Sequence, residues 1–95
     1  MARVVKTPAA EVDLCDIWLH IAEDSPAMAD RCLDLLNAKC NLLATHPELG
    51  ECHPEFGARI RFLPAASYVL VYRPIDDGIE LVRVLHGARD FESLF

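Results

Sequence analysis

The residues best suited to chemistry lie near the end of the chain, where "LVRVLHGARDFESLF" brings Arg83, His86 and Arg89 close together. Histidine transfers protons near neutral pH, and arginine binds a phosphate or a carboxylate through parallel hydrogen bonds. Arg59 and Arg61 precede them in "ARIRFL". Such residues suit phosphate-ester cleavage, a phosphate grip, or a strand end that only presents charge.

The cysteines offer little support for metal chemistry. None of the four belongs to a C-x-x-C pair, the usual mark of a structural zinc site. The stretch "CNLLATHPELGECH" holds two cysteines and two histidines that would have to converge, but its first cysteine falls where a helix needs an apolar residue. We predict no metal, no cofactor and buried, reduced thiols at Cys15, Cys32, Cys40 and Cys52.

Composition limits the class of protein. The 95 residues suit one domain, residues 1–95, and no apolar run is long enough to span a membrane. The N-terminus lacks an apolar signal segment, which predicts a cytoplasmic protein. A net charge of −6 argues against direct nucleic-acid binding as the main task. The second half carries five arginines and no lysine, as expected where planar, bidentate contacts matter.

Periodicity predicts an α+β fold. Thr7–Pro8 and Ser25–Pro26 each pair a helix cap with a first-turn proline, which predicts two helices joined as an antiparallel hairpin. The period then changes to two, and Asp77–Gly78 predicts a hairpin. We expect an N-terminal strand, a helical hairpin packed on a mostly antiparallel four-stranded sheet, and a short C-terminal helical turn. The strands are predicted at 2–6, 58–63, 68–73 and 79–86.

The apolar positions predict which helix faces are buried. Spacings of three and four predict the buried face of the first helix, which consists of Ala10, Leu14, Ile17 and Ile21, joined by Trp18. The acidic residues Glu11, Asp13, Asp16 and Glu23 are predicted to point outward. The predicted apolar stripe of the second helix consists of Met28, Cys32, Leu35, Leu36, Leu42 and Leu43.

Strand alternation predicts an open sheet face. If Ile60 and Phe62 face the helices, Arg59 and Arg61 face away from them. Because burying an arginine without a partner is costly, Arg83 is also expected on the open face. The expected partner-binding surface comprises Arg59, Arg61, Arg73, Leu81, Arg83, Leu85, His86, Arg89, Phe91 and Phe95. The alternative is that its arginines form only a solvated face. His86 has the opposite parity and is expected towards the helices or at the strand end.

Several strings together resemble one family over almost the whole chain. They are "AAEVDLCDIWLHIAEDSPAMADR", "LATHPELGECHPEFGARIRFLP", "YVLVYR" and "LVRVLHGARD", and they look like the RelE/ParE superfamily of bacterial type II toxins. The resemblance implies a cytoplasmic toxin, of a kind linked to plasmid stabilisation, that forms a hetero-oligomer with a ParD-like antitoxin. RelE-like members cut mRNA in the ribosome, whereas ParE-like members inhibit DNA gyrase by binding it.

The residues favour the ParE-like branch, which implies no enzyme activity. RNA cleavage needs a base, an acid and cations on the phosphate. The RelE-like alternative would rest on Arg61, Arg83 and His86, but no lysine follows Lys39, and the terminal aromatics Phe91 and Phe95 cannot transfer protons. A third possibility is a domain of this fold that binds its partner without being toxic.

Overall fold

The computed structural model describes residues 2–87 and contains two helices and a five-stranded mixed sheet, which confirms the α+β class. The sheet order is β1-β5-β4-β3-β2, with β1 parallel to β5 and the other pairs antiparallel. The fifth strand was missed because β2 is too short to show a period. The elements are β1 Arg3–Lys6, α1 Pro8–Ala22, α2 Pro26–Thr45, β2 Glu51–Cys52, β3 Arg61–Ala65, β4 Tyr68–Ile75 and β5 Gly78–His86.

Both helices start as the sequence predicts. The Thr7 hydroxyl accepts a hydrogen bond from the backbone N–H of Ala10, and Ser25 accepts one from Met28. These side chains satisfy amide groups that the first turn of a helix leaves without partners. No helix within residues 2–87 is long and apolar enough to cross a membrane. The predicted C-terminal helical turn lies outside the described residues.

The sheet carries apolar residues on both faces. The inner core lies between the sheet and the helices, and its strand residues include Tyr68, Leu70 and Tyr72 of β4. The alternate residues Val69 and Val71 belong to a smaller cluster on the opposite face. We call this second group the outer cluster; its other members are Phe56, Ile60, Phe62, Val82 and Leu85.

A loop covers part of the outer face. Residues 53–60 connect β2 to β3 and place Phe56 beside Phe62, with ring centroids 5.3 Å apart. His53 stacks on Phe62 at 4.2 Å and 20°. The prediction that Ile60 and Phe62 face the helices is therefore wrong. Alternation cannot tell the two faces apart when both are apolar.

A β-bulge interrupts the last strand. Tyr72 opposes Leu81 while the preceding residue, Val71, opposes Arg83, so Val82 is an extra residue in β5. Leu81 and Val84 consequently both reach the inner core, although they are three positions apart. Strict alternation, which placed Leu81 and Leu85 on one face, fails at this point, because Leu85 belongs to the outer cluster.

The start of α1 holds the bulge in place. Thr7 donates from its backbone N–H to the carbonyl of Leu81 at 3.0 Å and from its hydroxyl to that of Val82 at 2.7 Å. Asp13, six residues further along in α1, accepts a hydrogen bond from the backbone N–H of Val84 at 2.9 Å. Thr7 and Asp13 therefore satisfy backbone groups of β5 on both sides of the bulge.

Candidate functional site

Arg83 lies opposite Val71 of the outer cluster, on the face where it was predicted, but its guanidinium is bound by Asp13 of helix α1. Its Nε and Nη2 donate to the two carboxylate oxygens of Asp13 at 2.7 and 3.0 Å. Asp13 is largely buried, with 14% of its side chain exposed, whereas 42% of the Arg83 side chain remains exposed. This bidentate ion pair offsets the desolvation cost of placing Arg83 and Asp13 partly out of water.

Arg61 turns away from the outer face. It pairs across the sheet with Tyr72, which points into the inner core, and its Nη1 donates to the carbonyls of Gly50 at 2.7 Å and Glu48 at 3.2 Å. The parity argument failed here for the same reason as for Phe62. Arg61 therefore stabilises the turn that follows α2.

Tyr72 stabilises the same turn from the inner core. Its buried hydroxyl donates to the carbonyl of Pro47 at 2.6 Å and accepts from the N–H of Gly50 at 2.8 Å. Burial raises the pKa of Tyr72 above its usual value, against the smaller opposing effects of the Gly50 amide and the Arg61 cation. Gly50 is required because a Cβ there would overlap the tyrosine hydroxyl.

Two of the predicted arginines are exposed. Arg73 opposes Glu80 across the β4–β5 pair, and its Nε donates to that carboxylate at 2.6 Å. Arg59 lies in the covering loop with a φ of 66°, a left-handed conformation uncommon for residues other than glycine. These two side chains are available to a partner on the outer side of the sheet.

The apolar residues of the predicted surface are mostly used internally. Leu81 is fully buried in the inner core and Leu85 is 3% exposed in the outer cluster. Neither can bind a partner, because each fills a cluster that holds the sheet together. Their assignment to a partner-binding surface is wrong.

His86 lies where its parity predicts, on the helix side at the end of β5. Its ring meets the edge of Tyr68 with centroids 5.3 Å apart and planes at 80°. The three residues of the RelE-like alternative therefore contact different parts of the structure. Arg83 binds the Asp13 carboxylate, His86 packs on the Tyr68 ring, and Arg61 binds the 47–50 turn. Arg89, Phe91 and Phe95 lie outside the described residues.

All four cysteines are free thiols, as predicted, but their predicted burial holds only in part. Cys40 is buried, Cys32 is half-buried, and Cys15 and Cys52 are exposed. Burial raises the pKa of both Cys40 and Cys32. No group of three or more histidine, cysteine or acidic side chains in the described part of the chain is arranged to hold a metal ion.

Asp13 is the residue that sequence reasoning missed. The prediction that Asp13 points outward is wrong, because it lies at a helical spacing of three from Ala10 and four from Ile17, on the edge of the buried stripe. An acid at that spacing, with an arginine in a facing strand, is the signal that would have identified the pair. No periodic pattern predicts the bulge that brings Val84 to it.

The helical hairpin exposes apolar residues where the prediction buried them. Met28, Leu35 and Leu42 of α2 are 51%, 40% and 42% exposed, while Ala29, Leu36, Cys40 and Leu43 form the buried face with Ala44. The predicted stripe is therefore wrong at Met28, Leu35 and Leu42, and it omits the buried alanines Ala29 and Ala44. An apolar groove between the helices is lined by Leu14, Cys15, Trp18, Leu19 and Leu33.

Comparison with known proteins places these features in a family. The family described as "ParE toxin of type II toxin-antitoxin system, parDE" matches residues 4–91. "Toxin RelE3" of Caulobacter vibrioides is 31% identical over 95 residues, covering 92% of this chain and 96% of that protein. "Toxin RelE2" of the same organism is 34% identical over 89 residues, covering 94% and 99%.

The fold has a solved counterpart. The structure titled "Chromosomal ParDE TA system from P. aeruginosa" superimposes with a TM-score of 0.75 at 19% identity, covering 92% of this chain and 97% of that one. At this identity the match concerns the fold alone, and it agrees with a hairpin packed on a mixed sheet. The chain therefore belongs to the ParE toxin family of type II toxin–antitoxin systems.

Proposed function

We propose that this toxin acts in the cytoplasm by binding DNA gyrase, and not by cleaving RNA. The observation that carries the proposal is that Arg61, Arg83 and His86 each contact a different part of the structure. A ribonuclease would need cations and a proton-transferring group to converge on one phosphate. Here two of these residues are engaged by the 47–50 turn and by Asp13, and the third packs on Tyr68.

Net charge supports the same proposal. A charge of −6 opposes association with a ribosomal RNA surface but not with a protein target. The contact surface that we propose comprises the exposed Arg59 and Arg73 together with the C-terminal segment 86–95, including Arg89, Phe91 and Phe95. Arg73 would have to exchange its ion pair with Glu80 for one with gyrase.

The test is a gyrase assay run beside a ribosome-dependent mRNA cleavage assay. Purified toxin should block supercoiling or accumulate the cleaved-DNA complex of gyrase, and it should leave mRNA intact. Arg73→Ala should weaken the gyrase effect. Arg3→Ala is the matched control, because Arg3 is also an exposed arginine paired with a carboxylate, that of Asp77 at 3.0 Å. Inhibition unchanged by Arg73→Ala would reject this surface.

The RelE-like function is the second candidate, because both Caulobacter relatives carry the name RelE. Cleavage of mRNA on the ribosome, lost in His86→Ala and Arg83→Ala while folding is retained, would establish it in place of gyrase inhibition. A chain without effect in either assay, and without effect on growth, would be the non-toxic binding module.

A further inference from the structure

The ring of His53 lies between two carboxylates on the outer side of the sheet. Its Nδ1 is 3.2 Å from Oε2 of Glu55, in the covering loop of residues 53–60, and its Nε2 is 3.8 Å from Oε1 of Glu51, in β2. A neutral imidazole carries one N–H, whereas an imidazolium presents an N–H and a positive charge on both sides. A carboxylate at each nitrogen therefore favours the ring with both nitrogens protonated.

The stacking of His53 on Phe62 favours the same charged ring. The ring planes are 20° apart with centroids at 4.2 Å, and only 24% of the His53 side chain is exposed. A cation over an aromatic face is attracted by the negative face of the ring, more strongly where water is partly excluded. The contact also affects the carboxylate: a backbone hydrogen bond, and after it the contact with His53, lower the pKa of Glu55.

His53 joins the covering loop to two strands. Its backbone N–H donates to the carbonyl of Ile60, at the other end of the loop, at 2.9 Å, and its carbonyl accepts from the N–H of Phe56 at 3.0 Å. The side chain contacts Glu51 of β2 and Phe62 of β3. A change in the charge of this one ring therefore acts on the whole loop.

The closed position of the covering loop has a conformational cost. Arg59 has a φ of 66°, a backbone conformation that is unfavourable for residues other than glycine. Arg59 is also a cation, so its charge opposes protonation of His53 and cannot stabilise the charged ring. Side-chain contacts must offset this cost. The packing of Phe56 on Phe62 does not depend on pH, whereas the contacts of His53 do.

The charged groups that face His53 come from β2 and from the loop itself, as Glu51 and Glu55. The neighbouring Cys52 and Arg61 lie on the opposite side of the sheet, because they oppose each other and Arg61 opposes the inward-facing tyrosine of β4. The two carboxylates therefore determine how the ring responds to pH.

We propose that His53 is a pH-sensitive latch that holds the covering loop over the outer cluster when its ring is doubly protonated and releases the loop when one proton is lost. Protons favour closure because only the charged ring interacts with both carboxylates. Glutamates ordinarily lose their proton at about pH 4.3 and histidines at about pH 6.5, so closure should be most stable at roughly pH 5 to 6. Opening would uncover Phe62 and Val71 and would displace Arg59, so the outer surface of the toxin would differ between mildly acidic and neutral solution.

The test measures amide hydrogen exchange in the purified toxin from about pH 5 to about pH 8, with each rate divided by the intrinsic rate at the same pH. The N–H groups of Phe56, Gly57 and Ile60 report on the loop, since each donates to a carbonyl within it. Their protection should fall about fivefold as pH rises from about 5.5 to about 7.5, in step with the loss of the second ring proton followed by NMR. The N–H of Ala29, which donates to Ser25 at the start of α2, is the internal control and should keep its protection.

Two histidine variants isolate the latch. His53→Gln retains an N–H donor but cannot gain a proton, so loop protection should stay near its neutral value across the whole range. His20→Gln is the matched control, because His20 is an exposed histidine in the last turn of α1, and this variant should keep the wild-type dependence on pH. Circular dichroism checks that each variant is folded.

A carboxylate variant tests the partners of the ring. Glu51→Gln combined with Glu55→Gln should reduce the pH-dependent change in loop protection to about twofold or less, because the protonated ring then has no carboxylate beside it. The full fivefold change in this double variant would overturn the assigned role of the two glutamates.

The wild-type titration decides the question even if a variant does not fold. Loop protection that stays constant or rises with pH would overturn the latch, and so would a dependence that survives in His53→Gln. A parallel fall in the protection of Ala29 would mean a loss of global stability and not a local opening. The latch does not rest on the proposed function, so an absence of gyrase inhibition would leave all of these measurements unchanged.

Discussion

Replacing Asp13 with alanine tests whether α1 holds the end of the last strand. The carboxylate accepts three hydrogen bonds, two from the Arg83 guanidinium and one from the N–H of Val84. Val84 is 3% exposed, so its amide would lose its acceptor in a largely dry interface, at a cost of about 1–3 kcal/mol. Because Arg83 is 42% exposed, water replaces much of the ion pair, which adds under about 1 kcal/mol.

The expected total is a loss of about 2–3 kcal/mol in the free energy of unfolding, or a fall of roughly 10–20 °C in Tm for a domain of this size. Urea denaturation of the isolated toxin, followed by circular dichroism, measures the change, and an unaltered m-value would show that the transition keeps its character. Asp13→Asn is the matched control, because an amide oxygen can still accept from Val84. It should cost about 1 kcal/mol.

The reasoning would be refuted if Asp13→Ala cost under about 1 kcal/mol, or if Asp13→Asn cost as much as Asp13→Ala. The second result would mean that the charge, and not the acceptor for Val84, stabilises the strand. A double-mutant cycle with Arg83→Ala should give a coupling of about 0.5–1 kcal/mol.

Three further predictions concern other parts of the fold. Tyr72→Phe should lower the free energy of unfolding by about 1–3 kcal/mol, because its two hydrogen-bond partners stay buried. Since the pKa of Tyr72 is raised, the wild type should also lose stability as pH rises above about 10. Urea unfolding of the variant should lack that loss. Gly78→Ala should destabilise by about 2–4 kcal/mol in the same assay, with faster amide exchange in β1, because the new Cβ would overlap the Arg3 backbone; a near-wild-type midpoint would contradict it. A backbone hydrogen bond, and after it the contact with His53, lower the pKa of Glu55 from its usual value. The stability that the ionised Glu55 contributes should therefore be lost as pH falls through the lowered pKa. In Glu55→Gln the free energy of unfolding should depend less on pH in the acid range, and an unchanged dependence would count against the contact.

The elements of this fold could be predicted because their signals are local. Thr7 and Ser25 cap the helices that they were expected to cap, and Asp77–Gly78 makes the expected hairpin. The parallel β1–β5 pairing could not be predicted because it joins residues far apart in sequence, and β2 could not be predicted because two residues are too few to show a period. Local residue types determine where a helix or a hairpin turn forms, whereas the pairing of strands depends on residues from distant parts of the chain.

The candidate site was less predictable because it depends on which face each strand residue occupies. Alternation distinguishes two faces only when one is polar, and β4 is apolar on both, with Leu70 inside and Val71 outside. In β5 the bulge at Val82 shifts the parity, so Leu81 and Leu85 occupy opposite faces. Arg83 lies on the predicted face, opposite Val71, but no strand pattern shows that its guanidinium is bound by Asp13 of α1.

The parallel pairing of the first and last strands constrains when this protein can become folded during its synthesis. Arg3 lies beside Gly78 and Lys6 beside Leu81, so the first strand made must wait for the last one before it has a neighbour. The helical hairpin, whose contacts are local, is able to form earlier, but its apolar underside stays uncovered until β4 and β5 have left the ribosome. The sheet therefore cannot be completed before β5 has been made, and a chain interrupted before residue 78 lacks the strand end on which its proposed target surface is built.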